Sequence, residues 1–189
     1  MIEGSCLCSA QGAWTLDKDE NDIQVYTRRE LDSDFKSFKA VTVLQVSAED
    51  ILGVLRDADR YEEWYGFTKT SQLLERQGNV QYNYVETVFP WPYKNRDMVY
   101  RMSIDTSNQA VTKVSLEGLP HHLPDNKGIV RMQVAKGYLL LATIDKETTI
   151  TYVFHSEPGA SVPAWLANAS IAELPYQTLL GLRSELEAK

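Results

Sequence analysis

The sequence has very little cysteine, and this absence excludes two kinds of structure. Its two cysteines, Cys6 and Cys8, are separated by one residue near the N-terminus. A bridge between them would close a small, strained loop, so we expect no disulfide framework. Two ligands are also too few for a metal site, and we predict neither a metal nor a cofactor.

Basic residues and long apolar runs are also scarce. The chain has 19 Lys and Arg against 26 Asp and Glu, which gives a net charge of −7. An acidic chain has no electrostatic footprint for nucleic acid, so nucleic acid is excluded as a partner. No uninterrupted apolar run approaches the roughly 18 residues of a membrane span, so we predict a soluble protein.

The local motifs of common enzyme classes are missing as well. The sequence has no Gly-x-Ser-x-Gly elbow, no P-loop and no glycine-rich dinucleotide turn. His121 and His122 are adjacent, so their side chains diverge, and Asp125 does not supply a convincing third ligand. We interpret this segment as a solvated loop and predict that the protein is not an enzyme.

The chain is long and apolar enough for one domain with a real core. It has 189 residues, of which 43% are hydrophobic. We place the domain at residues 14–189 and interpret residues 1–13 as a tail. Gly4-Ser5-Cys6 faintly resembles a lipoprotein cleavage site, but the charged region and apolar run that must precede one are missing. The compartment, cytoplasm or periplasm, therefore stays open.

Alternating and β-branched patterns predict a sheet that meanders through most of the chain. A polar turn is expected at Asp17 to Asp22, and a capping box at Ser47 predicts one early helix. There is no strand–helix–strand rhythm, which favours antiparallel pairing. The predicted strands are Ile23 to Arg28, Phe35 to Val46, Thr68 to Arg76, Val80 to Phe89, Arg96 to Asp105, Ala110 to Glu117, Gly128 to Ile144 and Thr148 to Ser156.

The segment from Ser161 to Leu186 is predicted to form one long helix. Ser161 suits the N-cap, Pro163 suits the first turn, and Pro175 should bend the helix. Such a helix fits either a lid over a cavity or an ordinary packed C-terminal helix. Its apolar stripe consists of Trp165, Ala169, Ala172, Tyr176 and Leu179.

Four groups of residues, in order along the chain, carry a family resemblance. They are Tyr61-Glu62-Glu63-Trp64; Asn95-Arg96-Asp97-Met98-Val99; Leu119-Pro120 with Lys127-Gly128-Ile129-Val130-Arg131; and Val162-Pro163-Ala164-Trp165-Leu166 with Asn168 and Pro175. Together they resemble the START (steroidogenic acute regulatory protein-related lipid transfer) domain, in particular its small bacterial members. The resemblance extends from about Trp14 to Leu186.

The resemblance implies an α+β helix-grip fold, in which a curved antiparallel sheet wraps around the long C-terminal helix and encloses a hydrophobic cavity. It implies a carrier that binds one lipid or sterol-like molecule, and we expect a monomer with transient membrane contact. Some sterol-binding members have a buried arginine where this chain has Met102. The departure puts a sterol bound in that way in doubt.

The predicted site residues fall into three groups. The cavity and its lid are assigned Trp165, Ala169, Ala172, Tyr176, Leu179, Tyr82, Tyr84, Met102 and His155. The gating loops are assigned Trp91, Tyr93, Leu119 and Leu123. Structural roles are assigned to Trp64, Arg96, Asp97 and Arg131.

Several alternatives remain open at the level of sequence. The strand faces that carry Tyr82, Tyr84 and His155 point either into the cavity or away from it. Trp91 and Tyr93 either meet a membrane interface or pack on the helix. The rival functions are a cyclase or aromatase-like enzyme, which needs a titratable group inside the cavity, and a ligand-sensing regulatory module.

Overall fold

A computed structural model describes residues 12–159 and 162–188. Within these ranges the chain forms a ten-stranded sheet and four α-helices. The strands are β1 (Thr15–Glu20), β2 (Ile23–Arg29), β3 (Lys36–Leu44), β4 (Thr68–Gln77), β5 (Val80–Thr87), β6 (Arg96–Asp105), β7 (Val111–Gly118), β8 (Val130–Arg131), β9 (Val134–Ile144) and β10 (Glu147–Glu157). The helices are α1 (Ala48–Arg56), α2 (Tyr61–Trp64), α3 (Ala164–Ala169) and α4 (Glu173–Glu187).

The sheet is antiparallel apart from one short pairing. Its order is β1-β2-β3-β10-β9-β7-β6-β5-β4, and β8 pairs in parallel with β6. Helix α4 packs against α1, α2, β2 and β3, so that it covers the concave face of the sheet. The predicted α+β helix-grip fold is confirmed.

One turn prediction and one strand prediction were wrong. The segment expected as a polar turn at Asp17 to Asp22 contains most of β1, an edge strand whose side chains are largely exposed. The long strand expected from Gly128 to Ile144 is divided into β8 and β9. The division arises because residues 130–132 pair with β6. The backbone N–H groups of Val130 and Met132 donate hydrogen bonds to the carbonyl oxygens of Asn95 and Asp97.

The early helix begins as its sequence predicted. Ser47 is the N-cap of α1 and accepts a hydrogen bond from the backbone of Asp50, whose side chain accepts one from Ser47 in return. Ile51, Leu52, Val54 and Leu55 face the core. The capping box therefore sets the residue at which α1 starts. The apolar side of α1 sets which face of the helix packs on the core.

The expected single C-terminal helix is instead two helices. Helix α3 ends at Ala169, and α4 begins at Glu173. In a continuous helix the ring of Pro175 would clash with the carbonyl group of Ile171 and remove one hydrogen bond. Restarting the helix at Glu173 puts Pro175 in the first turn, where no backbone donor is needed. Pro163 is the N-cap residue of α3, while Ser161 lies outside the described residues.

Helix α4 approaches the backbone of α2 very closely. A Cβ atom at Gly181 would lie 2.1 Å from the carbonyl oxygen of Trp64, and one at Gly66 would lie 2.8 Å from the carbonyl oxygen of Leu174. The Gly66 amide also donates to the Thr178 hydroxyl at 3.1 Å. Both glycines therefore allow a contact that any larger residue would push apart.

A buried ion pair fixes the loop between β7 and β8. Arg131 donates two hydrogen bonds to the carboxylate of Asp97, at 2.8 and 3.0 Å, and both side chains are almost fully buried. The same guanidinium donates to the carbonyl groups of Pro120, Leu123 and Pro124. One arginine thus closes the loop and satisfies its carbonyl groups.

We predict that Gly181→Ala destabilises the protein by about 1–3 kcal/mol, because the added methyl group overlaps the Trp64 carbonyl group. Gly53 is a matched control in α1, because a Cβ there meets nothing within 4 Å. Gly53→Ala should stabilise by about 0.5–1 kcal/mol. Urea unfolding measures both changes, and equal effects of the two substitutions would contradict the close approach of α4.

We predict that Asp97→Asn lowers the free energy of unfolding by about 3–5 kcal/mol, because it leaves the buried Arg131 guanidinium without its counter-charge. The exposed pair Arg101–Glu117 provides the control. Glu117→Gln should change stability by less than about 1 kcal/mol. A small effect of Asp97→Asn in the same urea titration would show that the loop does not depend on the ion pair.

Candidate functional site

A small cavity lies between the concave face of the sheet and helix α4. Its enclosed volume is about 20 Å³, room for about one water molecule. Strands β6, β7, β9 and β10 form one wall, and α2 and α4 form the other. The lining residues are Leu55, Tyr61, Trp64, Tyr65, Met98, Tyr100, Met102, Leu116, Leu139, Tyr152, Thr178, Leu179 and Leu182.

Four tyrosines supply most of the polar atoms of this largely apolar cavity, to which Thr178 adds one more hydroxyl. The Tyr65 and Tyr152 hydroxyls are hydrogen bonded to each other at 2.5 Å. The Tyr61 hydroxyl donates to the carbonyl oxygen of Leu55. The rings of Tyr61 and Tyr65 are stacked with their centroids 5.5 Å apart, so that the tyrosines form one connected layer.

The tyrosine hydroxyls are neutral at physiological pH. Burial raises the pKa of Tyr65 to about 12, although the hydrogen bond with Tyr152 acts in the opposite direction. Burial is also the main cause of the raised pKa values of Tyr61, Tyr100 and Tyr152. The layer therefore offers hydrogen-bond donors and acceptors but no charge.

A chain of amide side chains lies behind the layer on strand β5. Arg76 Nε donates to Gln81 Oε1 at 3.3 Å, and Gln81 Nε2 donates to Asn83 Oδ1 at 3.0 Å. Asn83 is fully buried and pairs across the strands with Tyr100. Its Nδ2 atom makes no hydrogen bond of good geometry among the described residues, although its interaction with the Tyr100 hydroxyl acts to lower the pKa of that tyrosine.

The lining contains no charged side chain among the residues that the structure describes. Over the same residues, no group of three His, Cys, Asp or Glu side chains could hold a metal ion. None of the described helices is both long and apolar enough to cross a membrane. The cavity therefore offers hydrogen bonding and apolar contact.

Two of the residues predicted to line the cavity do so. Met102 and Leu179 are both in its wall and almost fully buried. Ala172 and Tyr176 are buried outside this wall, and the Tyr176 hydroxyl accepts a hydrogen bond from Asn21 at 2.6 Å. Trp64, predicted as structural, is part of the wall and lies edge-to-face on Tyr61.

The two residues of α3 that were assigned to the cavity and its lid are not in the cavity wall. Trp165 is 71% exposed, and Ala169 is also on the surface. The break at residues 170–172 rotates α3 out of register with α4, so the apolar stripe of the sequence does not continue on one face. Both residues belong to the outside of the molecule.

Tyr82 and Tyr84 were also wrongly predicted to line the cavity. They point to the outer face of β5, because Gln81, Asn83 and Val85 occupy the inner face. The Tyr82 ring stacks on His122 at 5.0 Å, and the Tyr84 hydroxyl accepts a hydrogen bond from Asn126 at 3.0 Å. Burial is the main cause that raises the pKa of Tyr84 to about 12.

His155 lies on the outer face of β10, which excludes it from the cavity. Its Nδ1 atom is 3.1 Å from the Ser37 hydroxyl, and its Nε2 atom is 3.7 Å from Glu157. The Ser37 hydroxyl donates to Glu30, which is also bonded by Arg28. Packing with these side chains buries the imidazole without bringing it near the tyrosine layer.

The predicted gating and structural residues lie at one end of the sheet. Trp91 is 92% exposed on the β5–β6 loop, whereas Tyr93, Leu119 and Leu123 are partly buried. Arg96 donates through Nε to the carbonyl oxygen of Pro158 at 2.9 Å, through another nitrogen to that of Lys94, and stacks over Phe89. It thereby ties the β5–β6 loop to the segment that follows β10.

The sequence analysis missed the polar atoms of the site. Tyr100 and Tyr152 share strand faces with Met102 and Phe154, and this two-residue spacing is a signal that points them inward. Asn83 gives no such signal, because an amide in an alternating strand predicts the wet face. Tertiary packing reverses that expectation for β5.

A larger hollow of about 700 Å³ opens on the surface between α2 and α4. Its walls include the carboxylates of Glu62, Glu63, Glu173 and Glu185. Arg60 pairs with Glu63 and Glu185, and Lys18 pairs with Glu173. This hollow is an open, largely neutralised polar groove, unlike the enclosed apolar site.

Comparison with known proteins agrees with this geometry. A solved structure of a STAR-related lipid transfer protein from Xanthomonas axonopodis is 37% identical, with a TM-score of 0.87 over 92% of this chain and 98% of that one. An uncharacterised protein of Pseudomonas aeruginosa is 29% identical over 93% of this chain and 88% of its own length. The phosphatidylcholine transfer protein of mouse is 25% identical over 82% and 75%.

The family resemblance can now be tested along the whole chain. The profile of the START domain matches residues 4–174, which contain the sheet and every motif quoted above except Pro175. The Xanthomonas likeness extends over nearly all of both chains. This chain belongs to the START domain family.

Proposed function

We propose that this protein is a non-catalytic carrier that binds one lipid with an uncharged polar head between the sheet and the C-terminal helices. The observation that carries the proposal is the tyrosine layer, an uncharged set of hydroxyls within a largely apolar lining. Burial of about ten methylene groups would contribute about 8 kcal/mol, from which ordering costs are subtracted. Affinity thus comes from the apolar wall and selectivity from the hydroxyls.

The amide of Asn83 supports this choice of head, although it is outside the cavity wall and next to its cross-strand partner Tyr100. Its Nδ2 atom lacks a hydrogen bond of good geometry, and an acceptor oxygen on a ligand that reached it as the cavity enlarged would supply one. A hydroxyl or ester carbonyl group suits both Asn83 and the tyrosines. A phosphate would bring a negative charge to a lining with no cation, so the ligand in the mouse relative's name is not transferred to this chain.

The described lining favours a carrier over a cyclase or aromatase-like enzyme. Such an enzyme needs a group in the cavity that exchanges protons near neutral pH, and tyrosines with raised pKa values do not. His155, the histidine that the sequence analysis assigned to the cavity, is on the opposite face of the sheet. Its pairing with Glu157 therefore does not support the enzyme.

Ligand binding requires the cavity to enlarge. Sites for small molecules usually measure about 300–1,000 Å³, whereas this one encloses about 20 Å³. The tyrosine layer and part of the C-terminal region must move apart to admit a lipid. The carrier therefore depends on a gate.

We predict one-to-one binding of a fluorescent diacylglycerol, with weaker binding of phosphatidylcholine and phosphatidylglycerol that carry the same fluorophore. Native mass spectrometry of the purified protein gives the stoichiometry, and fluorescence titration gives the order of affinity. Failure to bind any of the three lipids would overturn the carrier. Tighter binding of either phospholipid would overturn the uncharged head.

We predict that Tyr100→Phe weakens diacylglycerol binding by about 2- to 12-fold, the value of one neutral hydrogen bond. Tyr82→Phe is the matched control, because its hydroxyl lies on the outer face and its ring still stacks on His122. The control should bind like the unmodified protein. Equal affinities for both variants would show that the tyrosine layer does not contact the head.

A further inference from the structure

The tyrosine layer contains more hydrogen-bond donors than it uses. Each tyrosine hydroxyl carries one hydrogen atom that it can donate. The hydrogen atom of Tyr61 is used, because this hydroxyl donates to the carbonyl oxygen of Leu55. The hydroxyls of Tyr65 and Tyr152 share a single hydrogen bond, to which together they bring two hydrogen atoms. Neither hydroxyl makes another hydrogen bond among the described residues, so one hydrogen atom of this pair has no acceptor.

Tyr100 adds a second hydrogen atom without an acceptor. Burial raises the pKa of Tyr100, whereas its interactions with Asn83 and Tyr61 act to lower it. A hydrogen bond lowers the pKa of a tyrosine when the hydroxyl oxygen accepts it, because the bond then favours the charged form. The Tyr100 oxygen is therefore the acceptor in both interactions. Its own hydrogen atom is donated to nothing among the residues that the structure describes.

These two hydrogen atoms approach the cavity from different walls. Tyr65 directly follows α2, while Tyr100 is on β6 and Tyr152 is on β10. The ionisation of Tyr65 would affect the pKa values of both Tyr100 and Tyr152, so the three hydroxyls are near one another. One polar group that enters between the walls can therefore meet both hydrogen atoms.

The surplus of donors decides which uncharged polar group fits best. A carbonyl oxygen has two lone pairs and no hydrogen atom, so it can accept from two hydroxyls and brings no further donor. A hydroxyl group also accepts, but it adds one more hydrogen atom to a layer that already has too many. Because a buried donor without an acceptor is unfavourable, the layer matches a carbonyl group better than a hydroxyl group.

We propose that the polar group of the ligand is an ester or ketone carbonyl, whose oxygen accepts hydrogen bonds from Tyr100 and from the Tyr65–Tyr152 pair. This inference rests on the proposed carrier function and names the chemical group that its ligand carries. Neutral lipids whose only polar group is a hydroxyl, such as sterols and fatty alcohols, fit the layer less well. The three tyrosines determine the specificity of the site, and the apolar wall supplies most of the affinity.

A matched pair of lipids tests the carbonyl group. Fluorescent diacylglycerol has two ester carbonyl groups, and the dialkylglycerol with the same fluorophore has ether oxygens in their place but keeps the glycerol hydroxyl. Fluorescence titration of the full chain should show that the diacyl lipid binds about tenfold more tightly, the value of two weak neutral hydrogen bonds. Equal affinities would overturn the carbonyl group and leave the carrier intact. If neither lipid binds, the carrier itself is wrong.

Substitutions in the pair test the count of hydrogen atoms. Tyr65→Phe or Tyr152→Phe alone leaves one hydroxyl hydrogen free, so each should shift the affinities for both lipids together and keep the tenfold ratio. The double substitution removes that hydrogen atom and should lower the ratio to about threefold. Tyr82→Phe combined with Tyr84→Phe is the control, because both hydroxyls lie on the outer face of β5. A ratio that stays at tenfold in the double Tyr65/Tyr152 variant would exclude the pair as a donor.

Infrared spectroscopy tests the same contact without any substitution. Diacylglycerol labelled with ¹³C at its ester carbonyl groups is bound to the unmodified protein, and the carbonyl stretch is compared with that of the lipid in an apolar solvent. Hydrogen bonds from the tyrosines should shift the stretch to lower frequency. An unshifted stretch in a protein that binds the lipid one-to-one would overturn the proposal even if the double variant did not fold.

Discussion

The close contact between α4 and α2 determines the geometry of the whole interior. Gly181 lets the helix lie directly on the carbonyl group of Trp64, and Thr178 bonds the amide of Gly66 on the same side. The depth of α4 then sets the distance between Leu179 and the tyrosines of the sheet. A side chain at position 181 would lift the helix and widen the cavity before any ligand arrived. The volume of the site therefore depends on the absence of one methyl group.

The chemistry of the cavity follows from what surrounds its hydroxyl groups. Burial keeps the four tyrosines protonated, and their mutual hydrogen bonds leave few free donors. The amide of Asn83, beside Tyr100, stands at the end of a chain of side-chain hydrogen bonds that begins at a surface arginine. Each amide in the chain is polarised by the one before it. The interior can thus be polar enough to choose a ligand and still carry no charge.

The sequence predicted those helices and strands that carry a single clear signal, such as a capping box or an alternation of apolar and polar residues. The capping box located α1, and the alternation of β3, β5, β6 and β10 located those strands to within a few residues. Strand β1 was missed because its residues are nearly all polar, so nothing in it resembles a half-buried strand. The split between α3 and α4 was missed because Pro175 breaks the helix four residues before its own position.

The site was less predictable than the fold. Leu179 was assigned to the cavity from the apolar stripe of the predicted helix, and Met102 from the position at which some sterol-binding members of the family have a buried arginine. Tyr82 and Tyr84 were misplaced because tyrosine suits both faces of a strand, and only the packing of the β7–β8 loop decides between them. The role of Asn83 depends on its neighbours in space, which no local pattern contains. Polar contacts inside a cavity are set by tertiary structure.

Strand β1 was not predicted because its residues are nearly all polar, and this polar composition also affects how the protein behaves in solution. This open sheet has two edges, β1 and β4, each with unpaired backbone groups. Strand β1 presents Asp17, Lys18, Asp19 and Glu20, while β4 carries Lys69, Glu75 and Arg76 and is interrupted by two register shifts. Charges and irregularities of this kind prevent edge-to-edge pairing with another chain. The least strand-like segments of the sequence are therefore its protection against aggregation.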